Sequence, residues 1–195
     1  MRMKTNFLQV IVTLSIFCYP ATHASTSFQL DPVGGSISGE AGRTVGWGFT
    51  LINTENYLVV TSAIFDSPST LGDFTDYISA PANFFVVGPE QGGSTVWAQN
   101  FNAGDQTGVG SFSINAGAVP GDIAFGEIIL TYDLFAVSPN NPTFNPDTDG
   151  ISFGNRLSAF ATVVTAVPEP GESALAVGLL SLTGYGLFRR RYRPN

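Results

Sequence analysis

Three groups of residues in this chain carry side chains able to do chemistry. The first is Asn145-Pro146-Asp147-Thr148-Asp149-Gly150, which contains Asp-x-Asp-Gly. Two carboxylates two residues apart before a glycine open many calcium loops, because both can turn toward one ion. A full loop of that kind ends in a glutamate at its twelfth position, where this chain has Ser158. A hydrated turn between strands is therefore the favoured reading. The sharper one is a loose calcium site on Asp147, Asp149 and backbone carbonyls. The second group is Asp66, Asp73 and Asp76. Cleavage of a glycosidic bond needs two carboxylates on opposite sides of it. Spacing along a chain does not establish that, and an acidic loop is the favoured reading. The third group is Trp47, Trp97, Tyr57 and Tyr77, whose rings are able to stack on sugars. Trp47 falls on an alternating apolar face and is expected in the core. Trp97 is followed by Gln99-Asn100 and is the better candidate for an exposed glycan platform.

What is missing narrows the chemistry further. The single Cys, Cys18, and the single His, His23, lie in the first 24 residues, as does the single Lys, Lys4. Beyond residue 24 there is no nucleophilic thiol, no imidazole base and no amine for a Schiff base. Zinc sites built on His or Cys are excluded there, leaving oxygen ligands that suit calcium-like ions. No cofactor is expected, calcium apart, and no enzyme activity. Residues 25–166 hold thirteen acidic residues against two basic ones, Arg43 and Arg156, a formal balance of −11. Phosphate neutralisation needs a basic face, so nucleic acid is not an expected partner.

The middle of the chain must position whatever site there is. The 195 residues hold 22 Gly, 12 Pro and 16 Phe, a mix too aromatic for a disordered chain and too rich in turn formers for a helical bundle. Thr44–Ile52 alternates with a period of two: Val45, Trp47, Phe49 and Leu51 on one face, and Thr44, Gly46, Gly48 and Thr50 on the other. Further strands are expected at 28–30, 57–65, 83–87, 94–101, 108–114, 123–137 and 156–165. No window shows helical periodicity. The expected fold is all-β, an antiparallel two-sheet sandwich in which each strand hides one face. The segment Gly46-Trp-Gly-Phe49-Thr-Leu-Ile-Asn53 resembles the Gly-x-x-Phe-x-x-x-Asn start of immunoglobulin-like cell-surface modules. That resemblance implies an immunoglobulin-like sandwich and no particular activity.

The two ends read as addresses. Arg2 and Lys4 precede an apolar stretch over 7–19, and Thr22-His23-Ala24 follows. A charged start, an apolar middle and a small-x-small end predict a signal peptide over 1–24, cut between Ala24 and Ser25. Phe17 and Tyr19 flank Cys18, unlike the small residues around a lipoprotein cysteine. At the other end, Val167-Pro168-Glu169-Pro170 precedes an uncharged run over 174–188 and then Arg189, Arg190 and Arg191. Fifteen helical residues span about 22 Å, short of a ~30 Å hydrocarbon core. The arginines would lie on the cytoplasmic side.

This three-part tail resembles the PEP-CTERM sorting signal of exported bacterial proteins. The match covers residues 167–195 and has all three parts in order. It implies recognition near Pro168-Glu169-Pro170 by an exosortase-type membrane protease. It further implies membrane anchoring through the apolar helix before processing, and then a place at the cell surface or outside the cell. The same resemblance implies an exopolysaccharide or biofilm setting. The expected organisation is thus a signal peptide (1–24), a β-sandwich ectodomain (25–166) and a sorting signal (167–195). The expected protein is a non-enzymatic component of the envelope or extracellular matrix. The alternative is a carbohydrate- or calcium-dependent binding module.

Overall fold

The computed structural model describes residues 26–54, 56–80, 83–89 and 95–167. The signal peptide expected over 1–24, with its Ala24–Ser25 junction, lies outside the described residues. So do Pro168, Glu169, Pro170, the apolar run 174–188 and Arg189, Arg190 and Arg191. Among the described residues, no helix is long and apolar enough to cross a membrane.

Among the described residues, ten strands and one helical turn follow in order: β1 (Ser27–Asp31), β2 (Ser36–Gly39), β3 (Thr44–Ile52), β4 (Tyr57–Asp66), β5 (Gly72–Asp76), β6 (Val86–Val87), β7 (Val96–Gln99), β8 (Gly110–Ile114), β9 (Ile123–Phe135), α1 (Pro146–Asp149) and β10 (Gly150–Thr165). They make two five-stranded sheets. The first runs β1-β3-β8-β5, and the second runs β2-β10-β9-β4-β6. In the first sheet β7 and β8 share one edge of β3, β7 along 49–52 and β8 along 44–47.

The alternation in β3 produces the core. Trp47, Phe49 and Leu51 turn inward and are fully buried, facing Leu58, Ile128, Leu130 and Val163 of the other sheet. Each such side chain contributes roughly 1.5–3 kcal/mol by leaving water. Trp47 packs at 5.5 Å from Phe65 and 6.4 Å from Phe74. Its indole N–H donates to the Gly35 carbonyl at 2.8 Å, so the ring is buried without an orphaned donor.

The all-β, two-sheet expectation holds, and the strand at Thr44–Ile52 is found with those limits. Three details differ. The second sheet is mixed: β2 pairs parallel with β10, with Thr162 opposite Ser36 and Thr165 opposite Gly39. The cause is a jog after β1. The chain leaves the first sheet at Asp31 and joins the second at Ser36 without reversing, so it meets β10 in parallel. The strand expected over 83–87 shrinks to Val86–Val87, because Asn83 is a loop anchor. Its side-chain amide donates to the carbonyls of Tyr77 and Gln106, both at 2.6 Å. Finally, β2 and β5 were not expected. Each has one inward apolar residue, Ile37 or Phe74, too few to stand out as alternation.

The second face of β3 is not open to water either. A Cβ at Gly46 would meet the Phe101 ring at 2.2 Å, and one at Gly48 would meet the Gln99 carbonyl oxygen at 2.6 Å. Phe101 in turn stacks on Tyr77 at 6.3 Å. The two glycines on either side of Trp47 are there because the 100–109 loop lies against them.

Candidate functional site

The register fixes which loops share an end of the sandwich. Ile52 pairs with Ser27, and Tyr57 pairs with Phe135, which also pairs with Gly150. The β3–β4 turn and the β9–β10 connection therefore sit at one end. Thr165 pairs with Gly39, Val164 with Ile123 and Gly72 with Ile114. The chain thus leaves β10 toward its tail at the opposite end, where Val167 is exposed.

A depression of about 550 Å³ opens at the end away from the tail. It is lined by Tyr57, Ala136, Val137, Ser138, Asn140, Asn141 and Pro142. Its wall is a connection between β9 and β10 rich in Ser, Asn, Pro and Asp, which bond their own backbone. Asn141 N–H donates to the Ser138 carbonyl at 2.8 Å, and Thr143 N–H donates to Asn141 Oδ1 at 3.0 Å. These are the local turns such residues favour. The segment is pinned to the core where Phe144 meets Phe135 edge-on at 5.1 Å. The result is one phenol ring beside amides and hydroxyls, able to stack on and hydrogen-bond a polyhydroxylated ligand.

Asp147 and Asp149 lie in the same connection, on α1, the first exposed and the second half-buried. Asn145 caps the turn by accepting from Asp147 N–H at 3.1 Å, while Asp149 accepts from Asn145 N–H at 2.8 Å. Asp149 thus closes the turn through its carboxylate, while Asp147 takes part through its backbone N–H. Among the described residues, no group of three acidic, His or Cys side chains could hold a metal ion.

Trp97 differs from the expected exposed platform. It is half-buried at β7 and lies flat on Phe85, centroids 5.1 Å apart and planes 3° apart. One ring face is therefore covered, and its indole N–H is buried with no hydrogen-bond partner among the described residues. The physical reason is the apolar edge of the core beneath β7, which draws in the ring despite the polar residues that follow. Trp47 is core, as expected.

The three aspartates are not brought together. Asp66 ends β4 opposite Glu127 in the second sheet, while Asp73 and Asp76 lie on β5 in the first. Asp76 is occupied locally, accepting from Ile78 N–H at 2.7 Å. What the sequence reading missed is the depression beside Tyr57. Its signal is the cluster Ser138-Pro-Asn-Asn-Pro142, turn-forming residues that follow the strand expected over 123–137.

No family model matches this chain, and no curated protein matches it. Two solved chains do. One is WR4, a C. elegans MSP family member, similar over 74% of this chain and 100% of that chain, at 9% identity and a TM-score of 0.33. A likeness at that score carries no argument for fold or function.

Proposed function

We propose that this chain is an exported, non-enzymatic β-sandwich protein of a bacterial envelope or extracellular matrix, sorted and processed through a PEP-CTERM tail in an exopolysaccharide setting. The observation that carries the reading is the order of the last 29 residues: Val167-Pro168-Glu169-Pro170, an uncharged run, then Arg189, Arg190 and Arg191. The charged start and Thr22-His23-Ala24 ahead of Ser25 support export. The lack of His, Cys and Lys beyond residue 24 supports a protein that binds rather than catalyses. An immunoglobulin-like sandwich belongs to the same proposal. Its support is the strand order: β1-β3-β8-β5 matches the A-B-E-D sheet of such folds, and β10-β9-β4 the G-F-C sheet. The departure is β5, which comes before β6 in the chain.

The test is C-terminal mapping by mass spectrometry on membrane and medium fractions. A terminus near residues 167–170 is expected in the released protein. Glu169→Ala is expected to leave uncleaved chain in the membrane fraction. Normal maturation of that variant would overturn the reading.

A second reading, carbohydrate or calcium-dependent binding, is favoured by the Tyr57 depression at the end away from the tail. A tethered domain would hold that end outward. Tyr57→Ala is expected to cut retention on the host's matrix polysaccharide about tenfold, the loss of one stacked ring. Repeating the measurement with a chelator separates the two versions. Retention that ignores both the variant and the chelator would sink this reading.

A further inference from the structure

The outer face of the second sheet is unusually apolar for a surface. Residues paired across β4, β9 and β10 point to the same side, giving rows Ser62–Thr131–Arg156, Ile64–Ile129–Ser158 and Asp66–Glu127–Phe160, then Phe125–Thr162 and Ile123–Val164. Burial shows this side to be the outer one, since the intervening Ala63, Ile128, Leu130 and Ala161 are core. Phe160 is 79% exposed, Phe125 64%, Ile123 55% and Ile64 51%. Directly paired and diagonal side chains on a sheet touch, so these form one patch. Large contiguous apolar patches on a soluble domain mark a contact surface.

The charges on this face say what covers it. Arg156 stands one row to one side of the Ser158 row, and Glu127 and Asp66 stand one row to the other. None of the three makes an ion pair among the described residues. Within one copy Arg156 is four residues along the strands from Glu127, about 13 Å, too far to pair. A two-fold axis lying between two facing copies, across the strands at the Ser158 row, exchanges the flanking rows. It sets Arg156 of each copy over the Phe160–Glu127–Asp66 row of the other. Arginine then gains a carboxylate and an aromatic ring, while Ile64 and Ile129 meet their own counterparts.

We infer that this chain forms a two-fold dimer through the outer face of β4, β9 and β10, with Arg156 of one copy paired to Glu127 of the other. Five rows across three strands cover about 500 Å² per copy from strand spacing and rise. That is the low end for a specific interface, where weak association is the rule, and a dissociation constant of about micromolar order is expected.

Sedimentation velocity on the full exported chain, over a range of concentrations, tests it. A monomer–dimer equilibrium is expected in the micromolar range. Phe160→Ser and Arg156→Glu are each expected to weaken it at least tenfold. Both positions are exposed, so melting curves should stay unchanged and exclude misfolding. The exchange Arg156→Glu with Glu127→Arg restores the pairing and is expected to recover the dimer. A chain monomeric at about 100 μM would overturn the proposal. So would a dimer indifferent to Phe160→Ser, or an exchange variant that stays monomeric. A monomeric chain that loses polysaccharide retention on Phe160→Ser would overturn it too, and give the face to a glycan instead.

Discussion

Trp47→Ala is expected to lower the stability of the domain by about 3–5 kcal/mol, the cost of truncating a large buried aromatic side chain. Whole domains are stable by only 5–15 kcal/mol, so this single change removes a large share. Three contacts are lost together. The ring no longer fills the space between Phe65 and Phe74, and its N–H no longer holds the Gly35 carbonyl. Collapse of the neighbours is limited, because β3 is held by β1 on one side and by β7 and β8 on the other. The melting temperature is expected to fall by roughly 10–20 °C for a domain of this length. Trp47→Phe separates the terms. It keeps most of the volume and loses the hydrogen bond, while the Gly35 carbonyl still accepts from Thr162 N–H at 2.9 Å. A fall of about 1–2 kcal/mol is expected there. Circular-dichroism melts of the two variants check this. Equal losses would mean that the N–H bond, and not the packing, dominates.

Gly35→Ala is the second large effect, and its cause is backbone rather than core. Gly35 has φ +66, and a Cβ there would lie 2.2 Å from the Phe160 carbonyl oxygen and 2.9 Å from a Leu30 methyl. A side-chain methyl can turn aside; a carbonyl in the β10 backbone cannot without dragging the strand. Gly34 provides the control. It has φ +85 with nothing near its would-be Cβ, so Gly34→Ala measures backbone strain alone. That strain costs about 1–2 kcal/mol. Gly35→Ala is expected to cost at least twice as much as Gly34→Ala in urea unfolding. The loss should come with faster hydrogen exchange at Val163 and Val164, where β2 lies beside β10. Equal costs for the two glycines would show that the jog yields.

How much of this was legible in the sequence depended on how many apolar residues each element spends. β3 and β9 carry long alternations and were readable at once. β2 has Ile37 alone and β5 has Phe74 alone, so their pairing comes from neighbouring strands and not from their own pattern. Gly46 and Gly48 read as the open side of a strand, because nothing local announces that Phe101 comes back over them from 55 residues on. The same limit applies to the candidate sites. Asp147 and Asp149 are near in sequence and stay near, within a short helical turn that Asn145 caps. The Tyr57 depression joins residues about 80 apart, which only the β4–β9 register brings together.

One feature of the topology bears on mechanical load. β10 is 16 residues long, about 50 Å of extended chain, and it runs from the loop end of the sandwich to the point where the tail departs. A pull on Val167 is therefore directed along the strand. The hydrogen bonds to β9 run across it, and those to β2 brace its last four residues from the other side. Such a load falls on the whole ladder at once rather than opening it one bond at a time. A domain held by its tail against flowing water would resist by shear.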